Sequence, residues 1–155
     1  SEAKAEFVRR LGVDRPILYR QEDFAVAALA WTNGRGLAVA LDNVGAEAMQ
    51  KTYRVMAPYG RIVTLMGTPA DDAEINAYNK NLTIHNLMML TPMWLGLRQR
   101  LKEQAGIVGQ GLAFLAAGKL KVHINKVYPL AEAPAAHRQL EAGGTTGKIV
   151  LRIGD

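Results

Sequence analysis

Two glycine-rich segments carry the residue types that cradle phosphates, and neither has the order that this chemistry needs. Gly34-Arg35-Gly36 begins like the G-x-G-x-x-G turn that brings backbone N–H groups to a diphosphate, but Val39 stands where the third glycine belongs. It also follows a helical pattern and precedes a strand-like one, the reverse of the strand, turn, helix order that aims a helix N-terminus at an anion. It reads as a turn. Gly143-Gly144-Thr145-Thr146-Gly147-Lys148 has the look of a phosphate loop, yet it is one residue short, Ile149 replaces the magnesium-binding hydroxyl, and a strand pattern follows it. It reads as a loop. His85, His123 and His137 lie far apart with no cysteine to complete a ligand set, so no metal site is expected within the chain. Ser1 is the only serine, which leaves a Ser-His-Asp arrangement without a suitable nucleophile. No catalytic residue is assigned.

Composition narrows the classes further. The chain has 155 residues, 49% of them hydrophobic, and no cysteine, which excludes disorder, collagen and a disulfide scaffold. Lys and Arg number 19 against 14 Asp and Glu, for a net charge of +5. Those cations, among them Arg9, Arg10, Arg98, Arg100, Lys119 and Lys121, are spread along the chain and interleaved with acids. That is a solvated basic surface rather than a nucleic-acid face. The apolar stretch from Leu87 to Leu97 is interrupted by Thr91, Pro92 and Gly96, so no membrane span is expected. The opening residues carry no secretory pattern, and the cytoplasm is the expected location.

The elements that must position any chemistry follow from periodicity. Ala3, Phe7, Val8 and Leu11 fall at helical spacing, with Ser1 as N-cap and Gly12 as stop. Pro16 to Tyr19 is a short strand candidate. Gln21, Glu22 and Asp23 open a second helix with Phe24, Ala28 and Trp31 on one face. Leu37 to Leu41 is a continuous apolar run ending at Asp42, as in a strand buried on both faces of a parallel sheet. Gly45 turns the chain into a helix carrying Met49, Tyr53 and Met56. Arg61 to Met66 and Leu82 to Leu87 repeat the strand pattern. A long helical segment lies between Met93 and Ala117, and a further helix from about Ala131 to Ala142 separates strand candidates Val122 to Tyr128 and Lys148 to Ile153. The β-α-β rhythm requires crossover helices and a parallel α/β sheet. The last two strands break that rhythm and are not assigned to the same sheet.

An ordered set of segments carries a resemblance. Ser1 and Lys4, Leu11-Gly12-Val13-Asp14, Tyr19-Arg20-Gln21-Glu22-Asp23-Phe24, Asp42-Asn43-Val44-Gly45, Ala57-Pro58-Tyr59-Gly60-Arg61-Ile62-Val63, Tyr128-Pro129-Leu130, Ala136-His137-Arg138 and Gly147-Lys148-Ile149-Val150 succeed one another along the chain. Together they resemble the medium-chain dehydrogenase/reductase superfamily, nearest its quinone oxidoreductase-like and zinc-type alcohol dehydrogenase-like members. The resemblance implies the C-terminal part only. The expected fold is then an incomplete Rossmann-type parallel sheet, strands 3 to 6 of the family order 3-2-1-4-5-6. Residues 1-120 would form a partial dinucleotide-binding domain, and residues 121-155 a helix and strands that in the family return to the catalytic domain. On this reading the catalytic domain and the diphosphate-binding turn lie outside the chain, which would be an excised piece or a natural truncation.

Site residues follow from the same resemblance. In NADP-using relatives Ser1 and Lys4, with Tyr19 at the end of the next strand, would hold the 2'-phosphate, a hydroxyl and an ammonium suiting a dianion. The alternative is a capped helix start and a surface lysine, and both readings stand. Asn43, Val44 and Gly45 would line the adenosine and ribose side, the alternative being a plain strand-to-helix turn. Gly67 and Thr68 would approach the nicotinamide ribose, and Leu90, Thr91 and Pro92 the carboxamide. The cofactor is NADP or NAD, with NADP favoured by a small margin. Zinc dependence is open, since any ligands would lie elsewhere.

The implied function is hydride transfer between a nicotinamide and a carbonyl, enone, quinone or alcohol, with the isolated chain inactive. The competing reading is a non-catalytic binding or interaction module on the same half-sheet. A homodimer is expected, through the Leu82 to Leu87 strand or through repaired sheet edges. The unpaired edge of Leu37 to Leu41 would be covered by docking of the first strand, by strand exchange or by a partner fragment.

Overall fold

The chain opens with two helices, α1 (Glu2–Arg10) and α2 (Phe24–Trp31), before any strand. Both follow the sequence pattern, with differences at their edges. The Ser1 hydroxyl makes no cap bond on α1, leaving it unused by the helix. On α2 it is Asp23 alone that caps, its Oδ1 accepting from Ala25 N at 2.8 Å and Val26 N at 3.2 Å. The buried face is Ala27 and Ala28, and Trp31 is 55% exposed rather than part of that face. Small side chains permit the close approach to the neighbouring helix, and an indole does not.

The computed structural model describes residues 1–67 and 77–154, in two compact units, Ser1–Thr91 and Pro92–Asp155. The first unit holds a three-stranded parallel sheet. Its strands are β1 (Leu37–Asp42), β2 (Met56–Thr64) and β3 (Thr83–Asn86), in the spatial order β1-β2-β3, with α3 (Ala46–Val55) crossing over between the first two. The parallel α/β class is as the sequence indicates. Residues 16–19 join no ladder, which corrects the strand expected there: Pro16 has no N–H to give, and among the described residues β1 pairs with β2 alone. Docking of that segment beside β1 is therefore not how the edge is covered.

Register decides which side chains meet. Ala40, Ile62 and Ile84 form one row across the sheet, and Asp42, Thr64 and Asn86 the next row on the same face. Against this face α3 packs Met49 and Tyr53, which with Met56, Ile62 and Ala77 form the core, flanked by Leu37, Ala40, Leu82 and Ile84. The opposite face carries Val39 and Leu41, 67% and 66% exposed, so β1 is covered on one face and not on both. A continuous apolar run shows that a strand can be buried twice over, and only neighbours determine whether it is. The C-terminal end of α3 is closed by Lys80, whose Nζ donates to the carbonyls of Tyr53, Arg54 and Met56 at 3.3, 2.8 and 3.0 Å. Tyr53 and Arg54 lie in the last turn of α3, and Met56 is the first residue of β2, so one ammonium ties the helix end to the start of the strand.

In the second unit the expected long helix is split at Gly96 into α4 (Thr91–Trp94) and α5 (Arg98–Ala116). Next come β4 (Ile124–Pro129), a 3₁₀ turn (Leu130–Glu132), α6 (Ala133–Glu141) and β5 (Lys148–Arg152). The final two strands pair with each other, in parallel, as a separate sheet. The Tyr128 hydroxyl donates to Gln139 Oε1 at 2.5 Å, and Gln139 Nε2 donates to Asn125 Oδ1 at 2.9 Å, fixing α6 on β4. Among the described residues no helix is long and apolar enough to cross a membrane.

Candidate functional site

Because β1, β2 and β3 are parallel, their carboxyl ends emerge at one edge of the sheet. Ligands of open α/β folds bind at that edge. The strand ends are stitched together by backbone: Leu65 N donates to the Asp42 carbonyl at 3.1 Å, and Leu87 N to the Thr64 carbonyl at 2.9 Å. Beneath the loops the buried Asp42 carboxylate organises the turn into α3. Its Oδ1 accepts from Val44 N at 3.2 Å and Gly45 N at 3.1 Å, and its Oδ2 accepts from Gly45 N at 3.0 Å and the Thr64 hydroxyl at 3.1 Å. The Thr64 hydroxyl in turn accepts from Met66 N at 3.1 Å, with the Gly67 carbonyl at 3.4 Å as a longer alternative for its proton.

Gly45 is required by this arrangement. Its φ of +75° and ψ of −162° lie where side-chain-bearing residues are scarcely found, and an added Cβ would sit 2.7 Å from the Cβ of Met66. Ala46, the first residue of α3, follows with a φ of +45°, a strained position for alanine. The loop after β1 is thus held in a costly shape by buried polar contacts and lies directly against the loop after β2.

The structure brings some of the expected site residues together. Asn43 and Val44 are exposed above the Asp42 anchor, Val44 by 70%, and Gly67 is exposed three residues past the end of β2. Leu90, also exposed, lies past β3, and Thr91 ends this unit half-buried. Pro92 belongs to the second unit, buried in α4. Thr68 lies outside the described residues. Ser1 and Lys4 are exposed at the start of α1, and Tyr19 is 73% exposed in a turn. No hydrogen bond among the described residues links these three to the strand-end row. The assembled edge offers backbone groups, the Asn43 amide and apolar side chains, which is equipment for holding a ligand.

Sequence reasoning passed over Asp42 and Thr64 as site residues. The available signal was a single polar residue near the carboxyl end of each apolar run, which becomes meaningful only when the register sets the two side by side.

The sequence pattern of a family described as zinc-binding dehydrogenase matches residues 11–151. The chain belongs to the zinc-binding dehydrogenase family. Among its relatives is a highly reducing polyketide synthase of Aspergillus terreus, 31% identical over 157 residues that cover 97% of this chain and 6% of the synthase. Another is a 2-haloacrylate reductase of Burkholderia sp, 29% identical, covering 97% of this chain and 45% of the reductase. The crystal structure of a quinone oxidoreductase from Pseudomonas syringae pv. Tomato DC3000 superimposes with a TM-score of 0.71 at 27% identity, over 99% of this chain and 47% of that one. The chain spans less than half the length of these two curated relatives. The resemblance read from the sequence, including its quinone oxidoreductase-like character, therefore holds.

The family's name raises the question of a metal. There is no cysteine in the chain, His85 is exposed on β3, and among the described residues no three His, Asp or Glu side chains gather to hold an ion. The described residues do not fit a zinc site.

Proposed function

We propose that this chain is the nucleotide-holding portion of an NAD(P)-dependent oxidoreductase that moves hydride between a nicotinamide and an electron-poor double bond or carbonyl, as in an enone or quinone, or an alcohol. One observation carries the reading: three consecutive parallel strands end at one edge, where exposed Asn43, Val44, Gly67 and Leu90 rise over loops pinned from below. The fit is to the nucleoside portions of the cofactor. Gly67 leaves its side-chain position open, with no described heavy atom within 4 Å of an added Cβ, so backbone there can come close to a sugar. Val44 would lie against the adenosine side, and Leu90 and Thr91 near the carboxamide. When bound, the nicotinamide supplies the hydride. This chain's residues hold it and keep water from one flank, and the substrate's other walls would come from elsewhere in the protein, so the chain alone is expected to be inactive.

Ser1, Lys4 and Tyr19 are proposed to receive a 2'-phosphate. The unused hydroxyl of Ser1 and the exposed ammonium of Lys4 support this, and they favour NADP over NAD. A second copy of the chain is proposed to pair along the Leu82 to Leu87 strand or at the sheet edge on β1.

The test is calorimetric titration of the chain with NADPH and with NADH, for the wild type and Lys4→Ala. Binding of NADPH that weakens in Lys4→Ala, with NADH unaffected, supports the full reading. Equal affinities in both proteins retire the phosphate assignment alone. Uptake of neither nucleotide by the wild type overturns the nucleotide reading and favours a module without cofactor.

A further inference from the structure

We propose that Asp42 and Thr64 are positioning residues, whose buried carboxylate–hydroxyl bridge locks residues 43–45 after β1 and residues 65–67 after β2 into a single lip on which nucleotide affinity depends. The proposal rests on the nucleotide-binding reading and deepens it.

Burial and the donors already in place set Asp42 apart from direct ligand contact. Both oxygens of its carboxylate are engaged, by Val44 N, by Gly45 N shared between the two, and by the Thr64 hydroxyl. Asp42 is 5% exposed and Thr64 fully buried, so a negative charge sits under an edge proposed to hold an anionic ligand without presenting itself to it. Its influence must pass through backbone.

Thr64 is the hub of that backbone. Its hydroxyl gives its proton toward Asp42 and accepts from Met66 N, while its carbonyl accepts from Leu87 N. One residue thereby holds the starts of all three strand-end loops. Gly45 reinforces the coupling, since the absence of a Cβ is what allows its backbone to lie against Met66. A loop that had to be ordered at the moment of binding would cost affinity, and pre-ordering removes that cost. Hydrogen bonds to a charged partner are the stronger kind, and leaving their buried partners unpaired is expensive.

The experiment compares Thr64→Val, which keeps the shape and removes the hydroxyl, with Thr64→Ser, which keeps the hydroxyl. NADPH and NADH affinities are measured calorimetrically at a temperature where each protein is folded, alongside its melting temperature. The expected result is about tenfold weaker binding for Thr64→Val and rescue to within about twofold of wild type for Thr64→Ser. A merely structural role predicts a lower melting temperature for Thr64→Val with unchanged affinity of the folded protein, and that result overturns the proposal while the nucleotide reading stands. Failure of the wild type to bind either nucleotide overturns both. Should Thr64→Val not fold, amide hydrogen exchange on the wild type decides: the Val44, Gly45 and Met66 amides are expected to open together, and independent opening of the two loops refutes the lip.

Discussion

Replacing Gly45 by alanine separates two costs that the structure predicts there, and the same replacement at Gly67 supplies the control. At Gly45 the φ of +75° with ψ of −162° falls in a region that is nearly glycine's alone. Holding another residue there costs about 1–3 kcal/mol. The new Cβ would also stand 2.7 Å from Met66 Cβ, an atom fixed to the backbone and unable to swing aside, and overpacking of that kind adds about 1–3 kcal/mol. At Gly67 the φ is +80°, and no described atom lies within 4 Å of the added carbon. Against the described residues the left-handed backbone cost alone remains, about 1–2 kcal/mol. Urea unfolding of the two variants and the wild type should therefore place Gly45→Ala below Gly67→Ala by roughly 1–3 kcal/mol, a large share of the 5–15 kcal/mol typical of a domain. Equal destabilisation would show that the loops after β1 and β2 do not press on each other, and the coupling drawn from their contact would fail with it.

Other expectations follow from the core, a helix end and a surface pair. Ile62 is completely buried between β1 and β3, so Ile62→Ala should cost about 2–5 kcal/mol and Ile62→Val about 1 kcal/mol by denaturant midpoint, with unchanged slope. Lys80→Met removes the ammonium that three carbonyls around the junction of α3 and β2 share and should lower stability by about 1–2 kcal/mol; a melting temperature equal to wild type would contradict that role. The hydrogen bond from Lys51, then those from the Val26 and Ala25 amides, hold the Asp23 carboxyl below the ordinary aspartate value of 3.8. A carboxyl lowered in the folded state contributes its stability above the unfolded value and loses it as pH falls through the folded one. An NMR titration should give a midpoint under 3.8 that rises in Lys51→Met, and a midpoint indifferent to that substitution would refute the pairing.

The amino-acid sequence by itself determined the parallel α/β class, the five described strands, most helices and the family. Each of these rests on short-range patterns: apolar runs closed by polar residues, helical spacing, and an ordered series of local segments. It also set a stop, as Gly12 just past the end of α1 shows. The fate of residues 16–19 was not legible, because an extended segment becomes a strand only when a neighbour accepts its hydrogen bonds, and periodicity does not report neighbours. For the same reason Leu37 to Leu41 reads as doubly buried and is an edge strand with one open face. Asp42 and Thr64 are 22 residues apart, and each looks like an ordinary strand-end residue on its own. Pairing in register put one carboxylate and one hydroxyl side by side under two loops, a long-range alignment that no local pattern encodes, and on it the shape of the candidate site depends.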